Sequence, residues 1–449
     1  MTLPQKLSAS GLSVLSVSIA LALTVLASQA HAQSLVALYQ SALAYDANYQ
    51  SAKLQYDASL ARADQAKAGI LPSAGLSAGA ARIGAQSNVP AVSTNYNTQN
   101  ATLSAIQPLY RPANWAAYEQ GGKLVDLAGA QLTSASQDLI VRTSQAYFDV
   151  LAAQDTLTFV RAQKEAVAEQ LAFAKRNFEV GTSTITDSRE AQARYDLVRA
   201  QEIASENDLR IKKLALDQLV GRIDAQPVSL ATPVSLPSVL PADVNIWVSQ
   251  SELMHPAIRQ AQSNTEIADL EIKKAEAGHK PTLDATASYN VTKNPSSFVQ
   301  SGMSSRVNTS NVGLLLNVPL FAGFATQNRI RETLLLRDKA LSDLESTRRT
   351  VAQNVRTAYF GVQSGQSQVK ALEAAELSSQ SALDANKLGY QVGVRINIDV
   401  LNAQSQLYQT KRDLAQARYN VLLGDLRLRQ ANGTLTAEDL QGINGVLVK

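Results

Sequence analysis

The placement of proline constrains this chain more than any other feature of its sequence. Thirteen prolines occur among 449 residues, yet none lies in 113–226 or in 320–449. Proline breaks helix interiors, and both proline-free stretches are rich in Ala, Gln, Leu, Arg and Glu, which favour helices. A helix from Pro112 to Val180 would be about 100 Å long at ~1.5 Å per residue. A compact globule needs no such helix, so part of the chain is predicted to span a distance.

Both proline-free stretches carry one pattern, repeated at an offset of 212 residues. Apolar residues recur in a seven-residue pattern from Leu139 to Phe178, which is typical of helices packed side by side, and more weakly from Val351 to Tyr390. Short motifs repeat at the same offset: QAYFDV at 145–150 with TAYFGV at 357–362, and FEVGTSTITDSREAQARY at 178–195 with YQVGVRINIDVLNAQSQL at 390–407. The chain is therefore an internal duplication.

Ahead of each long helix, apolar and polar residues alternate along the sequence. The alternating segments are 71–85, 100–109, 282–292 and 312–320. Period-two alternation predicts β-strands, and polar loops are expected between them at 86–99 and 293–308.

The four predicted strands are each long enough for a tilted transmembrane span. Four strands cannot close a barrel, and open edges are not tolerated in lipid. Two alternatives follow: a small sheet in water, or strands pooled from several chains in a membrane. The aromatic strand ends at Tyr110, Phe321 and Phe324 favour pooling in a membrane.

The duplication defines two structural repeats, 33–222 and 244–432, with a proline-rich connector at 223–243 and a tail at 433–449. Each repeat is expected to run helix, strand pair, long helix, tip and returning helix. In the first repeat these elements lie at about 33–69, 71–109, 112–180, 181–186 and 187–220. In the second they lie at about 244–278, 282–321, 323–391, 392–397 and 398–431.

The N-terminus has the layout of a secretory signal peptide. Lys6 precedes an apolar run at 12–27, and Ala-His-Ala follows at 30–32. We expect residues 1–32 to be removed; the alternative is an N-terminal membrane anchor. No later stretch approaches the ~18 continuous apolar residues of a transmembrane helix.

Composition argues against several functional classes. The chain has no cysteine and three histidines, and His255 and His279 stand isolated. Disulfides, thiol nucleophiles and clustered zinc ligands are therefore not expected, and neither a catalytic site nor a metal site is predicted. A formal charge of +3 is too small for a nucleic-acid-binding footprint.

With these motifs in place, the chain resembles the TolC-like outer-membrane efflux proteins of Gram-negative bacteria, the outer membrane factors of tripartite efflux pumps and type I secretion systems. The resemblance rests on the duplicated arrangement, the AYFDV and AYFGV helices, the QPLYRP and VPLFAG strand-to-helix junctions and the two Val-Gly tips. It implies a mainly α fold with a β-barrel part. Three chains would share one twelve-stranded outer-membrane barrel and a long α-barrel across the periplasm.

The resemblance also implies a function and partners. The homotrimer would be a passive exit duct without a cofactor, embedded in outer-membrane lipid. A periplasmic adaptor (membrane fusion protein) and an inner-membrane transporter would recruit it and open its periplasmic end. The sequence leaves open the transported substrate, the adaptor, the resting state of the gate, and whether the transporter is a proton-driven pump or an ATP-driven exporter.

Residue roles at the two tips are carried over by position. Tyr390 and Arg395 match a gate lock whose partners are Thr186 and Asp187. Other tip residues match positions that meet the adaptor: Gly181, Thr182, Gly393 and Val394.

Asp399 matches a constriction carboxylate, and Asn402 stands where a second carboxylate is found. Residues three apart on a helix share a face, so both can face a lumen, and three symmetry-related carboxylates there would attract cations. An alternative interpretation makes Asp187 and Asp399 helix N-caps, since Asp187 and Glu190 have capping-box spacing. The two roles are compatible.

Competing functions remain to be weighed against the duct. A periplasmic adaptor of the same machinery is the main alternative, although adaptors usually have one hairpin between lipoyl-like halves. A filament protein of the flagellin type is disfavoured by the signal peptide and by the duplicated strand pairs. No feature of the sequence supports an enzyme.

Overall fold

The computed structural model describes residues 33–88, 91–231, 234, 236–294 and 305–447. The expected signal segment, 1–32, lies outside the described residues. In chain order the elements are α1 (Leu35–Tyr45), α2 (Ala47–Lys67), β1 (Ser73–Asn88), β2 (Ala91–Tyr110), α3 (Pro112–Glu179), α4 (Ile185–Val220), α5 (Val244–Met254), α6 (Pro256–Glu276), β3 (Thr282–Asn294), β4 (Ser305–Asn317), α7 (Ala325–Gln391), α8 (Asn397–Asn432) and α9 (Asp439–Asn444). The expected class, a mainly α protein with a β part, is confirmed.

Two uninterrupted helices dominate the chain. α3 has 68 residues and α7 has 67, and each is followed by an antiparallel helix of 36 residues, α4 beside α3 and α8 beside α7. The seven-residue pattern supplies the seam, because Val160, Val167 and Leu171 of α3 cluster with Ala191 and Val198 of α4. The chain therefore forms two helical hairpins. Among the described residues, no helix has both the length and the apolar character to cross a membrane.

The first helix of each repeat is broken, which corrects the single helices expected over 33–69 and 244–278. Asp46 ends α1 and caps α2: its carboxylate accepts the Tyr49 N–H at 2.8 Å and the Arg142 guanidinium at 2.9 and 3.1 Å. In the second repeat, α5 ends before Pro256, and the ring of His255 caps α6. A buried ion pair that caps a helix is a long-range partnership, which local propensity does not reveal.

The four strands form one antiparallel sheet in the order β1-β2-β3-β4. The expected loops at 86–99 and 293–308 are too long, since β1 continues to Asn88, β2 begins at Ala91 and β4 begins at Ser305. The hydrogen bonds between strands come from the backbone, so polar residues can continue a strand. The polar residues of these segments therefore extend the strands rather than form loops. β4 ends at Asn317, earlier than expected, and Pro319 beyond it cannot donate to a ladder.

The sheet has one apolar and one polar face. Leu76, Leu103 and Tyr289 lie side by side on the apolar face, and Leu76 and Val312 on this face remain 76% and 86% exposed. On the polar face, Thr102 donates to Asn290 at 3.1 Å. The chain therefore leaves uncovered both an apolar surface and the backbone edges of β1 and β4, neither of which is stable in isolation.

An ion pair fastens the base of the sheet to the first long helix. Arg111, at the turn from β2 into α3, donates to both carboxylate oxygens of Asp284 on β3, at 2.7 and 2.5 Å. The Asp284 side chain is only 6% exposed. A bidentate pair of this kind fixes orientation as well as distance, so the sheet and the helix meet at a defined angle.

The repeated AYF motif clamps the connector between the repeats. Tyr147 donates its hydroxyl to the Val228 carbonyl at 2.8 Å. Tyr359, its counterpart in the second repeat, donates to the Ala242 carbonyl. Both carbonyls belong to the connector 223–243, so the duplicated tyrosines bind opposite ends of one segment.

Glu271 on α6 joins three helices near the sheet. Its carboxylate accepts hydrogen bonds from Lys274 at 2.8 Å, from Arg329 of α7 at 2.8 Å and from Gln120 of α3 at 3.1 Å. The Lys274 bond, followed by the Arg329 and Gln120 bonds, lowers the pKa of Glu271 to about 2. A depressed carboxylate pKa contributes stability above the unfolded-state pKa, and this contribution is lost as the pH falls toward 2.

We expect Glu271→Gln to lower the melting temperature at pH 7 by a few degrees, since about 1 kcal/mol shifts a large domain by roughly 2–4 °C. The difference from wild type should shrink as the pH falls from 4.5 to 2. Melts followed by circular dichroism across this range measure it. Glu332→Gln is the matched control, because Glu332 pairs with the same Arg329 but is 55% exposed. Equal losses in both variants would contradict the role of Glu271.

Candidate functional site at the hairpin tips

Both hairpins turn through the same backbone motif. The N–H of Gly181 binds the Phe178 carbonyl at 3.0 Å, and the N–H of Thr182 binds the Asn177 carbonyl at 2.8 Å. Gly393 and Val394 repeat these two bonds onto the Tyr390 and Gly389 carbonyls. This is the Schellman motif, which needs a left-handed residue after the helix. Gly181 has φ +76° and Gly393 has φ +78°, so the repeated Val-Gly pair ends both long helices.

Neither tip aspartate is an N-cap, which corrects that alternative. Thr184 caps α4: its hydroxyl accepts the Asp187 N–H at 3.3 Å, and the Asp187 carboxylate accepts the Thr184 N–H at 3.1 Å. The capping box is therefore Thr184–Asp187, one turn before the expected Asp187–Glu190. Asp399 also lies in the first turn of its helix, behind Ile396, which provides no side-chain cap.

The expected hydrogen bonds from Tyr390 and Arg395 to Thr186 and Asp187 are not formed among the described residues of the chain. The Asp187 carboxylate is already bound by Thr184. Arg395 lies 3.7 Å from Asp399 instead. The Tyr390 ring packs edge-to-face on Phe173 at 6.0 Å between centroids, and its buried hydroxyl has no hydrogen-bond partner among the described residues.

Asn397, rather than Tyr390 or Arg395, forms the side-chain hydrogen bonds that join the two tips. It is fully buried, donates to the Asp187 carbonyl at 3.2 Å and accepts from Gln170 of α3. Sequence reasoning missed this residue. One signal in the sequence could have identified it. The equivalent residue of the first repeat is the apolar Ile185, so Asn397 is a point at which the two tips differ in polarity.

A groove of about 510 Å³ lies between the tips and is lined by three of the predicted lock residues, but not by Thr186, Asp399 or Asn402. Its lining includes Phe173, Asp187, Tyr390, Arg395 and Asn397. Thr182 and Gly393, two of the predicted adaptor contacts, also line it. The structure therefore brings the first and second tips together at one end of the molecule.

Asp399 and Asn402 share a face of α8 that the chain does not cover. The residues between them are buried, Leu401 against the first hairpin and Val400 against α7. Asp399 is partly exposed and Asn402 is exposed. Both side chains are therefore accessible to solvent in the single chain, and their place at a constriction stays a prediction.

The contact between the two hairpins changes character along its length. Far from the tips, Tyr147, Phe148, Leu422 and Leu426 form an apolar core. Nearer the tips, the buried amides Gln163, Asn397 and Gln404 join the apolar contact that Leu401 makes with the first hairpin. Asp155 lies between these zones, where Tyr419 donates to it at 2.7 Å and burial raises its pKa. The contact between the hairpins is therefore more polar at the tip end than at the core.

No group of three or more His, Asp or Glu side chains within the described part of the chain is arranged to hold a metal ion. Two linked hairpins below a four-stranded sheet, with an apolar sheet face, define the architecture of an outer-membrane export channel.

Comparison with known proteins places this architecture in a family. The family model described as outer membrane efflux protein matches residues 38–222 and 247–434, which coincide with the two repeats. Outer membrane protein TolC of Vibrio cholerae is 32% identical over 426 residues, covering 95% of this chain and 96% of that protein. Proteases secretion protein PrtF of Dickeya chrysanthemi is 30% identical over 427 residues, covering 92% and 90%.

The fold of the chain is also that of a solved structure. The outer membrane protein VceC of Vibrio cholerae has a TM-score of 0.76 at 19% identity, covering 89% of this chain and 96% of that one. The chain belongs to the outer membrane efflux protein family. It is an outer-membrane exit duct with its helical part in the periplasm, and the adaptor alternative is not favoured. The family is one of transport proteins rather than enzymes.

We expect Gly181→Ala to weaken the first tip by about 1–2 kcal/mol, because a side chain in the left-handed region is strained even though an added Cβ meets nothing within 4 Å. Hydrogen exchange at the Thr182 amide should quicken accordingly. Gly361→Ala is the matched control: Gly361 is helical and equally open, so alanine there should stabilise α7 by roughly 0.5–1 kcal/mol. An unchanged Thr182 amide in Gly181→Ala would contradict the motif's role.

Proposed function

We propose that three copies of the chain assemble into one passive duct that carries exported cargo across the periplasm and the outer membrane. The observation that carries the proposal is the sheet, whose apolar face and two free edges are satisfied together if β1 of one chain pairs with β4 of the next. Closure of the strands removes every edge, which lipid requires.

The helical hairpins would then form the periplasmic wall. Helices of 68 and 67 residues reach about 100 Å at ~1.5 Å per residue. The wall needs no catalytic group, and no catalytic residue is proposed. PrtF is named as a secretion protein, and the family model is described as an efflux protein. Under both secretion and efflux, the cargo would be a substrate that leaves the cell.

The tips would be the gate and the docking end. Gly181, Thr182, Gly393 and Val394 protrude at the turns, where a periplasmic adaptor tied to an inner-membrane transporter would bind. The two hairpins would separate first at the tip end of their contact, where buried amides join the apolar packing. Asn397 would hold the resting gate, because it binds both Asp187 and Gln170.

We expect Asn397→Ala to open the gate in planar bilayers. It removes two hydrogen bonds of about 1 kcal/mol each, which should favour the open state by roughly tenfold or more. Single-channel recordings measure the open probability. Tyr390→Phe should change the open probability little, because the Tyr390 hydroxyl has no hydrogen-bond partner in the part of the chain that the structure describes.

Asn386→Ala is the matched control, since the Asn386 side chain donates to the Ala382 carbonyl of its own helix and to no other described residue. Wild-type protein that forms no channels would refute the duct. Channels in which Tyr390→Phe opens the gate and Asn397→Ala does not would refute the role of Asn397 while leaving the duct intact.

A further inference from the structure

The arginine side chain at position 194 reaches from the first hairpin to the second, beside the predicted constriction. Arg194, on the third turn of α4, donates from its guanidinium to the side-chain oxygen of Asn402 at 2.8 Å. The two residues lie 208 positions apart and belong to different repeats. Within the described part of the chain, no carboxylate forms an ion pair with Arg194, so its charge is not cancelled by a partner.

The charges around this contact are unequal. Asp399, one turn before Asn402, brings one carboxylate, and Arg395 lies 3.7 Å from it. Asn402 brings an oxygen without a charge. The Asp187 carboxylate accepts from the neutral Thr184 hydroxyl at 2.9 Å and keeps its own charge, but it belongs to the first tip. The face of α8 that carries Asp399 and Asn402, with Arg194 against it, presents one carboxylate and two guanidinium groups in each chain.

We infer that Arg194 determines the charge selectivity of the periplasmic mouth, which it makes tolerant of anionic cargo. The inference rests on the proposed function, because Arg194 acts on permeating ions only if this face lines the duct. Rings of arginine favour anions and rings of carboxylates favour cations. Three copies of Arg194 beside three copies of Asp399 and Arg395 would offset the carboxylate ring.

The geometry also explains why an amide is suited to position 402. The Asn402 oxygen already receives the Arg194 N–H at hydrogen-bond distance, and aspartate has the same shape. An aspartate at this place would pair with Arg194 and neutralise it. The unpaired charge at this point therefore depends on two residues together, which a double-mutant comparison can separate.

The test measures reversal potentials of single channels in planar bilayers under a KCl gradient. In water, a unit charge acts on an ion ~7 Å away with roughly the thermal energy, which corresponds to about threefold in local ion concentration. Arg194→Gln should therefore raise the ratio of potassium to chloride permeability by at least about threefold. Arg194→Lys should leave the ratio near wild type, since it keeps the charge while losing the guanidinium fork.

Arg189→Gln is the matched control. It removes the same charge from the same helix, at an exposed position five residues nearer the tip, and should change the ratio less than Arg194→Gln. Equal ratios in these two variants would overturn the inference, and so would an Arg194→Lys change as large as that of Arg194→Gln.

A second variant, Asn402→Asp, tests the contact between Arg194 and position 402. Alone it should raise the permeability ratio about as much as Arg194→Gln, because the new carboxylate cancels the charge of Arg194. Combined with Arg194→Gln it should raise the ratio by about the product of the two single effects, because the site then changes by two unit charges in each chain. A double variant whose ratio is no higher than that of either single variant would contradict the placing of both residues beside the permeating ions. Conducting channels with unaltered selectivity in every variant would overturn the role of Arg194 but not the duct, whereas a wild-type protein without conductance would overturn the duct itself.

Discussion

The assembly of this protein depends on the two unpaired backbone edges of its four-stranded sheet. β1 and β4 each present a row of N–H and C=O groups without a strand partner among the described residues, beside a face of leucine, valine and tyrosine. Water could satisfy the edges but not the face, and lipid could satisfy the face but not the edges. Pairing with further copies satisfies both. The orientation of the first hairpin depends on the sheet, because Arg111 and Asp284 fasten its long helix to the base of the sheet.

The duplication explains the architecture, and its departures from symmetry lie at the two tips. Tyr147 and Tyr359 keep one role in both repeats, and so do Gly181 and Gly393. The starts of the returning helices differ. The first helix is capped within its own tip, whereas the second places a buried asparagine against the first tip. One hairpin is thus self-sufficient, and the other is held to it by contacts that a partner could replace.

Much of this could be predicted from the sequence, and the remainder has a common physical cause. Proline placement predicted the long helices, alternation predicted the strands, and the Val-Gly pairs predicted the tips. The break at Asp46, the tyrosine clamps and the role of Asn397 depend on residues that lie 96, 81 and 210 positions away. Local patterns describe which face of an element is apolar, but they do not identify a distant polar partner. The lock expected at Tyr390 was carried over by position, and its hydrogen bonds to Thr186 and Asp187 are not formed among the described residues.

Disulfide trapping across the sheet edges tests the trimeric duct most directly. The chain has no cysteine, so a cysteine at Ser77 of β1 can be combined, one at a time, with cysteines at successive positions from Val307 to Gly313 of β4. Oxidation in membranes should give covalent products that end at three chains for the pairs in register, and none for the single variants. Products that stop at two chains, extend beyond three, or join β1 to β4 within one chain would contradict the shared barrel.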